Sequence, residues 1–232
     1  MSNSQAFVDA YNRLDDALRR RVDAESTLSF SAVVKAAFPR HADLDLRQDL
    51  QEYADLRNAI VHDHRSPRLI ASVHENALAA FLDLVESVIN PPKVIPRFQR
   101  HLRVFRNDEP LSEALRLMRA EDFSQVVVLT DGVYGLLTTE AIARWIEHEV
   151  ENDDAIIDQH IPVSIAYGFE RTGSSGTVAR VATVADVRDL FSKLPKSGGG
   201  RLQGVLITEN GRATEKPLGL ITAWDLATAS AP

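Results

Sequence analysis

QVVVLTDGVYGLLT, residues 125–138, decides how the second half of this chain is read. Gln125 to Leu129 is a β-rich run, Asp131-Gly132 interrupts it, and VYGLLT resumes the apolar pattern. An Asp-Gly pair between two such runs predicts a β-hairpin, because glycine accepts the positive φ of a tight turn. LSEALRLM, after Pro110, reads as a helix ahead of the hairpin, and a second helix runs from about Thr139 to Glu149.

The same order recurs. VADVRDLF, after Thr183, reads as a helix and LQGVLIT (202–208) as a strand. A turn containing Asn210-Gly211 follows, then PLGLIT, then a short helix at WDLATA. GLLT at 135–138 against GLIT at 219–222 is the sharpest echo. A duplication of this kind predicts two half-units that share one core. Residues 98–232 are therefore expected to form duplicated helix–hairpin–helix units, one at about 98–150 and one at about 160–230. RTGSSG (171–176) and KSGGG (196–200) read as Gly/Ser-rich loops.

Ahead of residue 98 the period changes. Phe7, Tyr11, Leu14, Leu18 and Val22 recur at three- and four-residue spacing, one apolar stripe on a first helix. A second helix spans Phe30 to Phe38 and stops at Pro39, and a third spans about Asp43 to Val61. A fourth, after Pro67, carries Leu69, Val73, Ala77, Phe81, Leu84 and Val88. This predicts a small antiparallel helical bundle over 1–92, a proline-punctuated linker at 93–97, and an α + α/β protein as a whole.

Composition narrows the function classes. The chain has no cysteine, which excludes disulfides and thiol chemistry, and makes a zinc site unlooked for. Net charge is −7, and residues 1–92 carry ten Lys/Arg against fourteen Asp/Glu. A broad nucleic-acid-binding field is not announced, no DNA contact is expected, and any RNA contact must come from a local basic site. No apolar run approaches the roughly 20 residues of a membrane span. The N-terminal MSNSQAFVDAYNR lacks the basic start and apolar run of a signal peptide, so a cytoplasmic protein with no membrane partner is the expectation.

The duplicated unit resembles a tandem of cystathionine-β-synthase (CBS) domains, a Bateman module. That family commonly binds adenine nucleotides (AMP, ADP, ATP or related compounds) between its repeats. Its signature is Gly, two apolar residues, Ser/Thr, two residues, then Asp, and GLITAWD (219–225) fits it fully. The resemblance implies nucleotide binding by Thr222 and Asp225, with Thr183 as a lining residue. A hydroxyl at the end of a strand suits a phosphate, and a carboxylate accepts both hydroxyls of a ribose diol. The first repeat keeps Thr138 but has Ala141 where the Asp belongs, so one good site is expected. Thr and Asp at this spacing are also ordinary helix-capping chemistry.

LRNAIVHDH, residues 56–64, ends the third helix. Its Arg57-Asn58…His62 pattern resembles the HEPN superfamily, many of whose members are metal-independent endoribonucleases and others inactive. Carried over, His62 is the acid/base, with an unperturbed pKa of about 6.5 near working pH. Arg57 stabilises the charged phosphorane, and Asn58 orients either partner. His64, Arg65 and Arg68 are placed to bind flanking RNA phosphates. Asn58 and His62 share a polar face while Arg57 is turned toward the apolar stripe, so a compact site requires two copies in a homodimer. The two resemblances together imply a nucleotide sensor that regulates RNA cleavage, with no metal, in stress or phage defence. The alternative is a non-enzymatic nucleotide-sensing dimer whose helical domain binds a partner, with Arg57 paired and His62 complementing the helix end.

Overall fold

The computed structural model describes residues 2–40, 43–61, 72–151, 160–193 and 199–228. The chain divides into two compact units, Met1–Pro92 and Lys93–Pro232.

The first unit is helical: α1 (Asn3–Val22), α2 (Phe30–Ala37), α3 (Leu44–Val61) and α4 (Glu75–Ile89). Ser2 caps α1 by accepting the Gln5 N–H at 3.2 Å, and Ser29 caps α2 by accepting the Ala32 N–H at 3.3 Å. The stripe of α1 buries Phe7, Tyr11, Leu14 and Leu18. Phe81 of α4 packs with its ring centroid 4.5 Å from those of Phe7 and of Tyr53, which ties α1, α3 and α4 together. The apolar pattern alone starts the fourth helix after Pro67, but among the described residues it starts at Glu75. There His74 is extended and its Nδ1 accepts the Asn76 N–H at 3.3 Å. Val73 is buried ahead of the helix, and Leu69 lies outside the described residues.

The second unit opens with a helical turn, α5 (Val94–Arg97). Then come β1 (Val104–Arg106), α6 (Leu111–Ala120), β2 (Gln125–Thr130), β3 (Val133–Thr138) and α7 (Thr139–Glu151). After α8 (Val163–Tyr167) the order returns as β4 (Ser175–Ala179), α9 (Val184–Ser192), β5 (Gly204–Thr208), β6 (Gly219–Ile221) and α10 (Ala223–Thr228). β1 runs parallel to β2 and β2 antiparallel to β3; β4 runs parallel to β5 and β5 antiparallel to β6.

The helix–hairpin–helix reading needs one correction: each half begins with a further strand. β1 is three residues long, too short to show a period, and β4 is SGTVA, whose first two residues read as the end of a Gly/Ser loop. Parallel pairing with Gly204 and Val205 holds Ser175 and Gly176 extended.

Alternation along the strands builds three apolar layers. Val126, Val128 and Leu137 face α6, α7 and α8. Val205, Ile207 and Ile221 face α9 and α10. Val127 and Leu136 of the first sheet meet Leu206 and Leu220 of the second. The two sheets thus share a middle layer, each with helices on its other face.

The glycines that open GLLT and GLIT are required by close approach. A Cβ on Gly135 would collide with the Tyr167 hydroxyl, and one on Gly219 with the carbonyl oxygen of Phe98. The chain at 98–100 is laid on the start of β6, where Gln99 bridges Gly219 and the Arg100 N–H reaches the Leu218 carbonyl at 3.2 Å.

The β5–β6 connection is organised by Glu215. Its carboxylate accepts the side-chain amide of Asn210 at 2.8 Å and the N–H groups of Asn210 and Arg212 at 2.7 and 3.4 Å. The Asn210 side-chain bond, followed by its backbone bond, lowers the Glu215 pKa to about 2. A depressed carboxylate pKa contributes stability that is fully present above the unfolded value, near 4.5, and is lost as pH falls toward 2. In paired thermal melts, wild type is expected to exceed Glu215→Gln at neutral pH, with the gap closing between pH 4.5 and 2; a gap constant with pH would contradict this account.

Candidate functional site

A cleft of about 710 Å³ lies within the second unit, a size suited to a small organic ligand. One wall is Leu220 and Thr222–Asp225, the end of β6 and the start of α10. The other walls come from the chain at 100–103 and from 121–127, the end of α6 and the start of β2. The cleft joins the end of the second sheet to the start of the first, so neither repeat builds it alone. Trp224 is 77% exposed and Phe123 47%, leaving two aromatic side chains on a polar rim.

The Thr222–Asp225 pair is a capping box. Asp225 Oδ2 accepts the N–H and the hydroxyl of Thr222, each at 2.7 Å, and the Asp225 N–H donates to Thr222 Oγ1 at 3.2 Å. The guanidinium of Arg100 also donates to Asp225 Oδ2 at 3.3 Å and to the Leu220 carbonyl. Asp225 Oδ1 takes none of these bonds. The hydroxyl of Thr222 already donates to Asp225, so a donor role toward phosphate competes with the cap.

Thr183 makes the same box at the start of α9. Asp186 Oδ2 accepts its N–H at 2.9 Å and its hydroxyl at 2.8 Å, and the Asp186 N–H returns to Thr183 Oγ1 at 3.2 Å. Thr183 does not line the cleft described above, and neither does Thr138.

Thr138 starts α7 with no carboxylate three residues on, and the structure supplies one from far along the chain. Glu170 Oε2 accepts the Thr138 N–H at 3.0 Å and its hydroxyl at 2.8 Å, while the Ala141 N–H donates to Thr138 Oγ1 at 3.1 Å. All three threonines therefore have the same bonds, and in the first repeat Glu170 stands where an aspartate at 141 would. Burial, and next the Glu170 charge, raise the pKa of Tyr167, which packs against Gly135 close by.

Of the candidate RNA-site residues, Arg57 and Asn58 are described; His62, His64, Arg65 and Arg68 lie outside the described residues. Arg57 is half-buried, its guanidinium carbon 5.8 Å from the centroid of the Tyr11 ring, and it donates to Asn58 Oδ1 at 3.4 Å. Arg57 Nε is buried with no partner among the described residues. Burial, reinforced by Asp15 and opposed by Arg57, pushes the Tyr11 hydroxyl up to about 12. Arg57 thus lies over a neutral ring, a favourable cation–π arrangement. Asn58 is exposed.

Sequence reading did not single out Arg100, Glu170, Phe123 or Trp224. Arg100 and Glu170 act at residues 125 and 32 positions away, which no local pattern carries. The missing Asp at 141 was the one signal that Thr138 needed a distant acceptor.

Residues 97–148 match the CBS domain family. No curated protein matches the chain. Among solved structures, a CBS-domain protein from Agrobacterium tumefaciens is 23% identical, with 60% of this chain and 90% of that one covered and a TM-score of 0.43. An uncharacterised conserved protein from Pyrococcus horikoshii is 22% identical, with 61% and 93% covered and a TM-score of 0.43. CBSX2, solved in complex with AMP, is 15% identical, with 60% and 96% covered and a TM-score of 0.43. No helix among the described residues is long and apolar enough to cross a membrane, and none of these residues form a His, Asp and Glu group able to hold a metal ion.

The Glu170 cap is open to a direct test. Glu170→Ala is expected to cost about 1 kcal/mol, the usual scale of a lost helix cap, seen as a lower denaturation midpoint. Ala141→Asp in that background restores the box locally and should recover most of the loss. No recovery would mean that Glu170 stabilises by some other route.

Proposed function

We propose that this chain is a regulatory protein that senses an adenine nucleotide through a tandem CBS pair, with the ligand at Thr222 and Asp225. The observation that carries this reading is the coincidence of the complete GLITAWD pattern with the wall of the 710 Å³ cleft. Among the described residues no donor bonds Asp225 Oδ1, which suits a ribose hydroxyl, and Trp224 and Phe123 offer faces to a base. The match at 97–148 covers the opposite walls of the cleft. Thr138 is committed to Glu170, which favours one nucleotide site per chain over two, with Thr183 serving its own helix.

In the same proposal the helical unit is the effector: a HEPN-type, metal-independent endoribonuclease that works as a homodimer. Arg57, Asn58 and His62 carry the chemistry, and His64, Arg65 and Arg68 hold flanking RNA. Nucleotide occupancy would alter how two such units meet, in a cytoplasmic stress or phage-defence setting.

The placement of Arg57 favours a second reading. Its guanidinium lies over Tyr11 and donates to the neighbouring Asn58, a structural use of both residues. On that reading the helical unit is an inactive, HEPN-like surface for dimerisation or partner binding, and the chain is a non-enzymatic sensor.

Calorimetric titration with AMP and ATP tests the first half. Wild type is expected to bind, and Asp225→Asn, which keeps an oxygen for the Thr222 cap, to bind at least about tenfold more weakly, a loss near 1.4 kcal/mol. Absence of binding by wild type would overturn the sensor. Metal-free incubation with total RNA, with and without nucleotide, tests the second half. Cleavage by wild type and its loss in His62→Ala would establish the nuclease; no cleavage by a protein that binds nucleotide would select the second reading.

A further inference from the structure

Arg100 holds a place in the cleft that the capping box does not require. Thr222 and Asp225 complete their cap without it. Arg100 nevertheless reaches across 125 positions of sequence to Asp225 Oδ2 at 3.3 Å and to the Leu220 carbonyl, while its own N–H is bonded to the Leu218 carbonyl at 3.2 Å. It also stands between two spaces. The 710 Å³ cleft lies on one side and a second cavity of about 400 Å³, with Lys216 on its wall, on the other, and Arg100 lines both. The nearby Arg103 is already committed to Glu109 and, at 3.9 Å, to Glu113.

We infer that Arg100 is the phosphate-reading latch of this cleft, a residue that discriminates 5′-phosphorylated nucleosides from neutral ones. The inference rests on the nucleotide-sensing reading and goes beyond it, since neither the GLITAWD pattern nor Thr222 supplies this contact. The argument is one of competing partners. The side chains of Arg100 and Asp225 are 39% and 25% exposed, so their ion pair is weakly held. A ribose diol that takes both oxygens of Asp225, one hydroxyl on Oδ1 and the other in place of Arg100 on Oδ2, releases the guanidinium from this carboxylate at small cost. A released guanidinium beside the ligand has an attractive new partner in a phosphate, which it meets with two parallel N–H donors. A neutral nucleoside offers no such replacement. Arg100 thus opposes nucleoside binding and favours nucleotide binding through the same movement. Its main chain belongs to the segment 98–100 laid on β6, and this segment follows directly, through α5, from the end of the first unit.

The test uses the full chain, with AMP and adenosine as the probes, titrated against wild type, Arg100→Ala and Arg100→Lys. Wild type is expected to prefer AMP at least tenfold. Arg100→Ala should bind AMP about tenfold more weakly and adenosine as well or better, which collapses the preference. Arg100→Lys keeps a charge without the two-pronged donor and should fall between. Thermal melts of each variant establish that it is folded before titration, and Arg100→Lys carries the comparison if Arg100→Ala does not fold. An AMP-to-adenosine ratio unchanged by the substitutions, with AMP still bound, would overturn the latch and leave nucleotide sensing standing. Failure of wild type to bind AMP would overturn both.

Discussion

The layer formed by Val127, Leu136, Leu206 and Leu220 makes two small sheets into one body. Three strands with helices on one face leave the other apolar face wet until the second sheet covers it. Burying each branched side chain contributes about 1.5–3 kcal/mol, so four at a shared surface decide whether the halves separate. The cleft follows from that layer. Leu220, the last of the four, is also the residue where the cleft begins, and the chain at 100–103 closes over it because Leu102 and Val104 pack onto the same layer. The position of Asp225 opposite residues from the first repeat is thus a consequence of core packing before it is a matter of ligand chemistry.

A second constraint acts at the strand-to-helix junctions. The first N–H groups of a helix have no partner within it, and a threonine at the junction adds a hydroxyl that also needs one. Asp186, Glu170 and Asp225 meet this need with nearly identical bonds. The recurrence bears on how the Thr-x-x-Asp pattern is read. Two of the three junctions do not line the cleft, so the pattern is a folding device first. Among the described residues, Thr222–Asp225 is the junction whose carboxylate also borders that cavity.

The sequence carried most of the second unit because its signals are local: the Asp131-Gly132 turn, the strand alternation, the echo of GLLT in GLIT. It hid β1 and β4 because their extended conformation is imposed by parallel partners, and a three-residue strand or a Ser-Gly start has no period of its own. The site was half legible for the same reason. Thr222 and Asp225 stand three apart and could be read together, whereas Arg100 and Glu170 are joined to them only by the fold. In the helical unit the stripe correctly turned Arg57 inward, but the pattern could not say that a Tyr11 ring would be beneath it.

The Glu170 cap also bears on where this protein can be divided. The stretch that matches a CBS domain ends at residue 148, yet the carboxylate that completes α7 comes from residue 170. The same later segment supplies Val163 and Ala166 to the first apolar core, and the Ile161 carbonyl accepts the Leu111 N–H at 2.7 Å. A cut at the boundary of sequence similarity would leave Thr138 without an acceptor and one side of a core uncovered. The stretch of sequence similarity and the unit of folding therefore differ in length, and a domain excised or transplanted from this chain has to carry the connecting segment through Glu170 with it.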